Sequence, residues 1–165
     1  MPQQDFLADH HIVSGLYPVA DAFATSMTTD YVSLKDYRRV TFVLHTGNAT
    51  SGTADGVVTV LAASDASGTS AGAVAFKSRT CASSTTVDTW GALTDRASTG
   101  FSMTAGDNYV YLIEVTADQV EAADPGNPFV ALKVTEVTDD PVVASCLIIL
   151  SEPRHGTGTP VTAIA

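Results

Sequence analysis

The sequence predicts an all-β protein, an antiparallel β-sandwich of jelly-roll-like type with an extended N-terminal arm and C-terminal tail. Two observations lead to this fold class. Strand-like segments recur between positions 31 and 150, separated by turns rich in Gly, Ser, Thr and Asp. No amphipathic helix lies between them, which favours antiparallel strands over a parallel βαβ arrangement.

Residues 1–29 are predicted to form the arm. They are apolar but lack a sustained period of 2 or 3.6, and apolar segments seldom stay disordered. We expect the arm to pack on its own domain or on a neighbouring subunit, and the domain to fold without it. The candidate contact residues are Phe6, Leu7, Ile12, Val13, Leu16, Tyr17 and Phe23.

Residues 30–151 form the predicted sandwich, with seven to nine strands. In residues 39–45, Val40, Phe42 and Leu44 alternate with the other side chains and indicate a half-buried strand. Further strands are predicted at 57–63, 73–79, 85–93, 98–103, 109–115, 129–135 and 142–150.

Specific structures are also predicted for two segments of the sandwich and for the end of the chain. Residues 142–150 are almost wholly apolar, which predicts a central strand covered on both faces. A single helical turn is predicted at 117–121. Residues 152–165, with their Gly and Pro residues, are predicted to leave the domain as an extended tail.

Composition and charge limit the classes of partner. The 165 residues fit one domain, and only 16% are charged, against about 25% in typical globular proteins. Such a surface suits close packing against neighbours, or simply a soluble sandwich. The net charge of −10 argues against binding nucleic acid or anionic lipid.

The sequence offers no targeting or membrane signal that we recognise. No basic region followed by an apolar run opens the chain. The apolar stretch at 142–150 is too short to cross a bilayer as a helix. We therefore expect a soluble protein that stays where it is made.

No cluster of residues reads as an active site, so we predict no enzyme, no catalytic residues and no cofactor. Ser, His and Asp are all present, but without a GxSxG elbow, and His45 fits a simple strand-face position. Neighbouring His10 and His11 point in opposite directions on an extended segment. No metal site is predicted.

Three further sets of residues, with oxygen ligands, thiols or aromatic rings, each allow two interpretations. Asp139-Asp140 and the pair Asp124/Asn127 offer oxygens for calcium, or serve ordinary turns. Cys81 and Cys146 are either joined or free, and Cys146 fits a small core residue. Sugar binding would need exposed aromatic platforms, whereas strand aromatics usually anchor a core. The candidates are Trp90, Tyr109 and Tyr111.

Five sequence segments stand out in combination: Asp30–Tyr37, Leu61–Gly68, Thr89–Leu93, Tyr109–Val115 and Phe129–Lys133. Taken together and in this order, they resemble small structural proteins encoded near the capsid genes of tailed bacteriophages. The resemblance covers residues 30–150.

This resemblance implies a capsid decoration (cement) protein, a homotrimer that binds the major capsid protein on the outer surface of the phage head and bridges capsomers. Its location would be the virion, assembled in the host cytoplasm. The alternative is a tail- or fibre-associated sandwich module that binds host glycans. The resemblance supplies no site residues, and the arm remains the expected contact with capsid or subunits.

Overall fold

The computed structural model describes residues 6–52, 55–81, 85 and 88–154. They form two antiparallel sheets that pack against each other around one apolar core. The predicted all-β sandwich is therefore confirmed.

The first sheet has six strands. In spatial order they are β1 (His11–Val19), β12 (Val142–Pro153), β4 (Tyr37–Ala49), β10 (Val110–Thr116), β7 (Phe76–Thr80) and β8 (Thr94–Arg96).

The second sheet is built on a path of four strands, to which two short strands are added. The path is β2 (Ser26–Thr28), β11 (Phe129–Thr138), β5 (Asp55–Ala63) and β6 (Gly72–Val74); β3 (Val32–Ser33) pairs with β11, and β9 (Phe101–Ser102) pairs with β5.

Alternating side chains explain the long strands. Val40, Phe42 and Leu44 of β4 are fully buried, as the period-2 pattern predicted. On the neighbouring β10, Tyr111 lies opposite Leu44, and Ile113 lies opposite Phe42. These inward rows form the first sheet's side of the core.

Three of the shorter predictions were wrong in detail. Residues 73–79 are not one strand, because the chain changes sheet between β6 and β7. Within the described part of residues 85–93, Trp90 makes only an isolated bridge to Cys81. The strand predicted at 98–103 is reduced to β9, which follows a tight turn at Gly100 with φ of 80°.

The N-terminal segment belongs to both sheets. The helix α1 (Phe6–Asp9) precedes β1, which pairs with β12, while β2 pairs with β11. Bulges after Ser14 and Leu16 break the alternation of β1, which is why no strand was predicted there. Val13 and Phe23 are core residues, so we no longer expect the domain to fold without residues 1–29.

Residues 142–150 lie in a central strand, as predicted, since β12 pairs with both β1 and β4. However, only one face is covered. Side chains from Val142 to Leu150 are buried at alternate positions, while Val143 and Leu147 between them are exposed. The expectation of cover on both faces was wrong. The strand runs on to Pro153, and residues 155–165 of the predicted tail lie outside the described residues.

The predicted helical turn is present as α2 (Ala117–Ala123). A capping box starts it: Thr116 Oγ1 accepts from the Gln119 backbone N–H at 3.2 Å, and Gln119 Oε1 accepts from the Thr116 N–H at 2.9 Å. Neither helix in the described ranges has the length and hydrophobicity required to span a membrane.

Candidate functional site

The seven contact residues predicted from the sequence fall into three groups. Val13 and Phe23 are buried in the chain's own core, so their side chains are not available to a partner in this fold. Leu16 is partly buried and packs against the same core. The exposed members are Phe6, Leu7, Ile12 and Tyr17.

The outer face of the first sheet carries a continuous apolar surface. Ile12 on β1 lies opposite Ile149 on β12, and Leu147 on β12 lies opposite Val43 on β4. Leu112 on β10 continues the second row beyond Val43. We call these five side chains the outer apolar face.

Exposed apolar side chains concentrate near this face. The solvent-facing side of an antiparallel sheet is normally polar, yet Ile12 and Leu147 are each 48% exposed. Of the ten large exposed hydrophobic residues among the described positions, seven belong to α1, β1 or β12. The seven are Phe6, Leu7, Ile12, Tyr17, Val19, Val143 and Leu147.

A groove of about 330 Å³ continues the outer apolar face toward β7. Leu112 and the exposed Leu93 give it apolar walls, while Lys77 and Arg79 on β7 contribute cations. Lys77 is held by an ion pair with Asp95. The apolar floor with charged sides resembles the core and rim of a protein-binding surface.

An ion cluster bounds the same face at one end. The Arg39 guanidinium binds the Glu114 carboxylate at 2.9 Å and the Glu152 carboxylate at 3.0 Å. Glu152 has a positive φ of 57°, a conformation that costs energy for a non-glycine residue. All three side chains are about a third to a half exposed, so the cluster contributes little stability and forms a polar border of the outer apolar face.

The residues considered for chemistry are not brought together. His45 is exposed on β4, with Val110 and Ser145 as its cross-strand neighbours. His10 Nδ1 lies 2.9 Å from the Phe6 carbonyl oxygen, and the two rings stack. The fourth histidine of the sequence, His155, lies outside the described residues.

Three of the four candidate calcium ligands, Asp124, Asn127 and Asp140, take part in hydrogen bonds of turns. Asp140 is buried, and its Oδ1 accepts from the Ser51 backbone N–H at 2.8 Å. The Asp124 backbone N–H donates to the Val120 carbonyl at 2.8 Å and so ends α2. The Asn127 N–H donates to the Asp124 carbonyl at 3.2 Å. Within the described parts of the chain, no three His, Cys, Asp or Glu side chains form a group that could hold a metal ion.

Both cysteines are free and buried. Cys146 lies on β12 opposite Leu44, and burial raises the pKa of its thiol to about 12. Cys81 accepts from the Val110 backbone N–H at 3.2 Å. The open question of a disulfide is thus answered: the thiols serve as core residues.

The three aromatic candidates do not form an exposed platform for a sugar. Tyr111 is buried, with its hydroxyl bound to Thr104. Tyr109 packs against the core with its ring centre 6.1 Å from that of Tyr111. Only Trp90 is exposed, at 36%.

The outer apolar face was not predicted from the sequence, although its signal was present. The almost wholly apolar run at 142–150 indicates that both faces of this strand favour burial, and the fold covers only one of them. The fold and its surface together define an all-β sandwich with an exposed apolar face.

No protein-family model matches the chain, and no curated protein matches it. Among solved structures, the SPBc2 prophage-derived protein YomS is similar at 14% sequence identity and a TM-score of 0.41, over 86% of this chain and 93% of that one. A likeness at this level leaves the function to be argued from the chain's own residues.

Proposed function

We propose that this chain is a virion structural protein that decorates the outer surface of a phage head and stabilises the capsid lattice by bridging neighbouring capsomers. One observation supports this role most directly: Leu147 and Ile12 expose apolar surface on a sheet face that an isolated sandwich would make polar. Contiguous apolar surface of this kind marks a protein contact.

The sequence resemblance supplies the partner, the major capsid protein. The outer apolar face and the exposed residues of α1 form the proposed contact. Each copy needs only a modest affinity, because a bridging molecule attaches at several places and the contacts reinforce each other. Preferential binding to the assembled shell then stabilises that shell by mass action.

The alternative, a tail or fibre module that binds glycans, has weaker support. Of its three candidate aromatic residues, Tyr111 is a core residue and only Trp90 is exposed. Trp90 is the only tryptophan, so quenching of its fluorescence by a sugar would favour this alternative. Catalysis is not part of the proposal.

Electron microscopy of purified particles tests the proposal. Particles produced by the genome that encodes this chain are imaged with the gene intact and with it deleted. We expect density on the outer surface of the head that disappears in the deletion. A chain that is absent from purified particles, or that is found only on the tail, would contradict a capsid decoration protein.

A further inference from the structure

β1 is the longest strand at an edge of either sheet. The other edges are formed by β8, β2 and β6, each of three residues, and by the two-residue strands β3 and β9, whereas β1 has nine residues. Short edge strands are a common protection against pairing with another chain. β1 lacks this protection, and its only strand partner among the described residues is β12.

The first half of β1 is the part suited to pairing. Residues His11–Ser14 match β12 residue for residue, while bulges follow Ser14 and Leu16. Pro18 has no N–H to donate. No formally charged side chain occurs from His11 to Val19, in a chain with a net charge of −10. The usual barriers to edge pairing, charge above all, are therefore absent from residues 11–14.

We propose that β1 pairs antiparallel with β1 of a second copy of this chain, about a two-fold axis at Val13. Ile12 of each copy then lies opposite Ser14 of the other. Because side chains alternate between faces, this register keeps both outer faces on the same side of the joined sheet. A shift by one residue would place an outer side chain opposite an inner one.

A second copy fits this edge because the contact is self-complementary. On the outer face, Ser14 lies opposite Leu147 of its own copy and, in the proposed register, opposite Ile12 of the other copy. Ile12 of one copy therefore approaches Leu147 of the other across the Ser14 side chain. Two outer apolar faces thereby become one continuous surface across the joined sheet. Phe6, Leu7 and Tyr17 lie on either side of the paired segment, residues 11–14, in each copy, and a two-fold contact uses the same exposed residues on both sides.

This inference does not depend on the role in the capsid. It gives two copies, where the resemblance implies three, and solution mass separates the two possibilities. Light scattering behind a sizing column, over a dilution series, should show a species of twice the chain mass of 17.1 kDa. A mass of one chain or of three chains at every concentration would overturn the proposal.

The variant Ile12→Lys places a charge on the edge, as natural proteins do to prevent pairing. We expect a monomer with an unchanged circular dichroism spectrum, because Ile12 is outside the core. The matched control is Val137→Lys, an equivalent change at an exposed position on β11 of the second sheet, which should remain dimeric. A dimer that Ile12→Lys leaves intact contradicts pairing at β1.

Cross-linking tests the register without altering charge. Proteins carrying Ile12→Cys and Ser14→Cys are oxidised mildly, separately and as a mixture. The proposed register joins position 12 of one copy to position 14 of the other, within disulfide reach for directly opposed residues. The mixture should therefore give several-fold more covalent dimer than either variant alone. Equal yields would overturn the axis at Val13.

Discussion

Tyr111 and Thr104 form a two-way hydrogen-bonded contact that ties a loop to the core. The Tyr111 hydroxyl accepts from the Thr104 backbone N–H at 3.1 Å and donates to the Thr104 carbonyl at 3.4 Å. Tyr111 is 1% exposed, so its hydroxyl has little access to water. The loop between β9 and β10 depends on this side chain for two of its backbone groups.

The variant Tyr111→Phe should lower the free energy of unfolding by about 1–3 kcal/mol. Removal of the hydroxyl deletes both hydrogen bonds to Thr104, and a hydrogen bond of this kind contributes about 0.5–1.5 kcal/mol. Urea titration followed by circular dichroism measures the change. Tyr17→Phe is the control, because Tyr17 is 74% exposed and should show almost no effect.

The same residue makes stability sensitive to alkaline pH. Burial raises the pKa of Tyr111 to about 12, from 10.0. The unfolded chain therefore releases this proton first, so stability is constant below pH 10 with respect to this group and falls between pH 10 and pH 12. The loss should reach up to roughly 3 kcal/mol.

Unfolding midpoints measured from pH 8 to pH 12 check this expectation. In Tyr111→Phe the decline should be shallower, and the remaining slope includes Cys146, whose raised pKa of about 12 acts in the same direction. Identical slopes for the two proteins would contradict the role of Tyr111.

Two glycines with the same backbone conformation should respond very differently to alanine. Gly100 and Gly126 have φ of 80° and 83°. A Cβ at Gly100 would lie 2.0 Å from the Val58 carbonyl oxygen, whereas a Cβ at Gly126 meets nothing within 4 Å. Gly126→Ala should cost about 1 kcal/mol from backbone strain alone, and Gly100→Ala several times more. Thermal unfolding of the two variants measures the difference. Equal losses would contradict the close approach of Gly100, just before β9, to Val58 on β5.

Both thiols should resist modification in the native protein. Cys81 and Cys146 are buried and not joined in a disulfide, and a buried structural thiol is poorly accessible to a reagent. Reaction with a thiol reagent at neutral pH should be slow in buffer and should modify two thiols per chain in denaturant. Fewer than two in denaturant, without reductant, would indicate a disulfide.

Sequence patterns predicted the long strands because their alternation is set locally. Val40, Phe42 and Leu44 read as an inward row in the sequence and form one in the structure. The turn at α2 was equally readable, since Thr116 and Gln119 have capping-box spacing.

The edge strand β1 was not predictable in the same way. Its bulges shift the alternation at Gly15, where an added Cβ would lie 2.8 Å from Ile148. Bulges arise from contact with the partner strand, which is distant in sequence. The candidate contacts shared this difficulty: Val13 and Ile12 look alike in sequence, and only the register separates the core residue from the exposed one.

The outer apolar face should be required for occupancy of the head, not for folding. Leu147→Lys places a charge on this face at a side chain that is 48% exposed, so the melting temperature should change little. Binding to particles from the gene-deleted genome should fall at least tenfold, because a charge buried at an interface without a partner costs more than the roughly 1.4 kcal/mol that a factor of ten represents. Val137→Lys, on the second sheet, is the matched control and should bind normally. Co-sedimentation with particles measures both, and equal binding would show that the capsid contacts another surface.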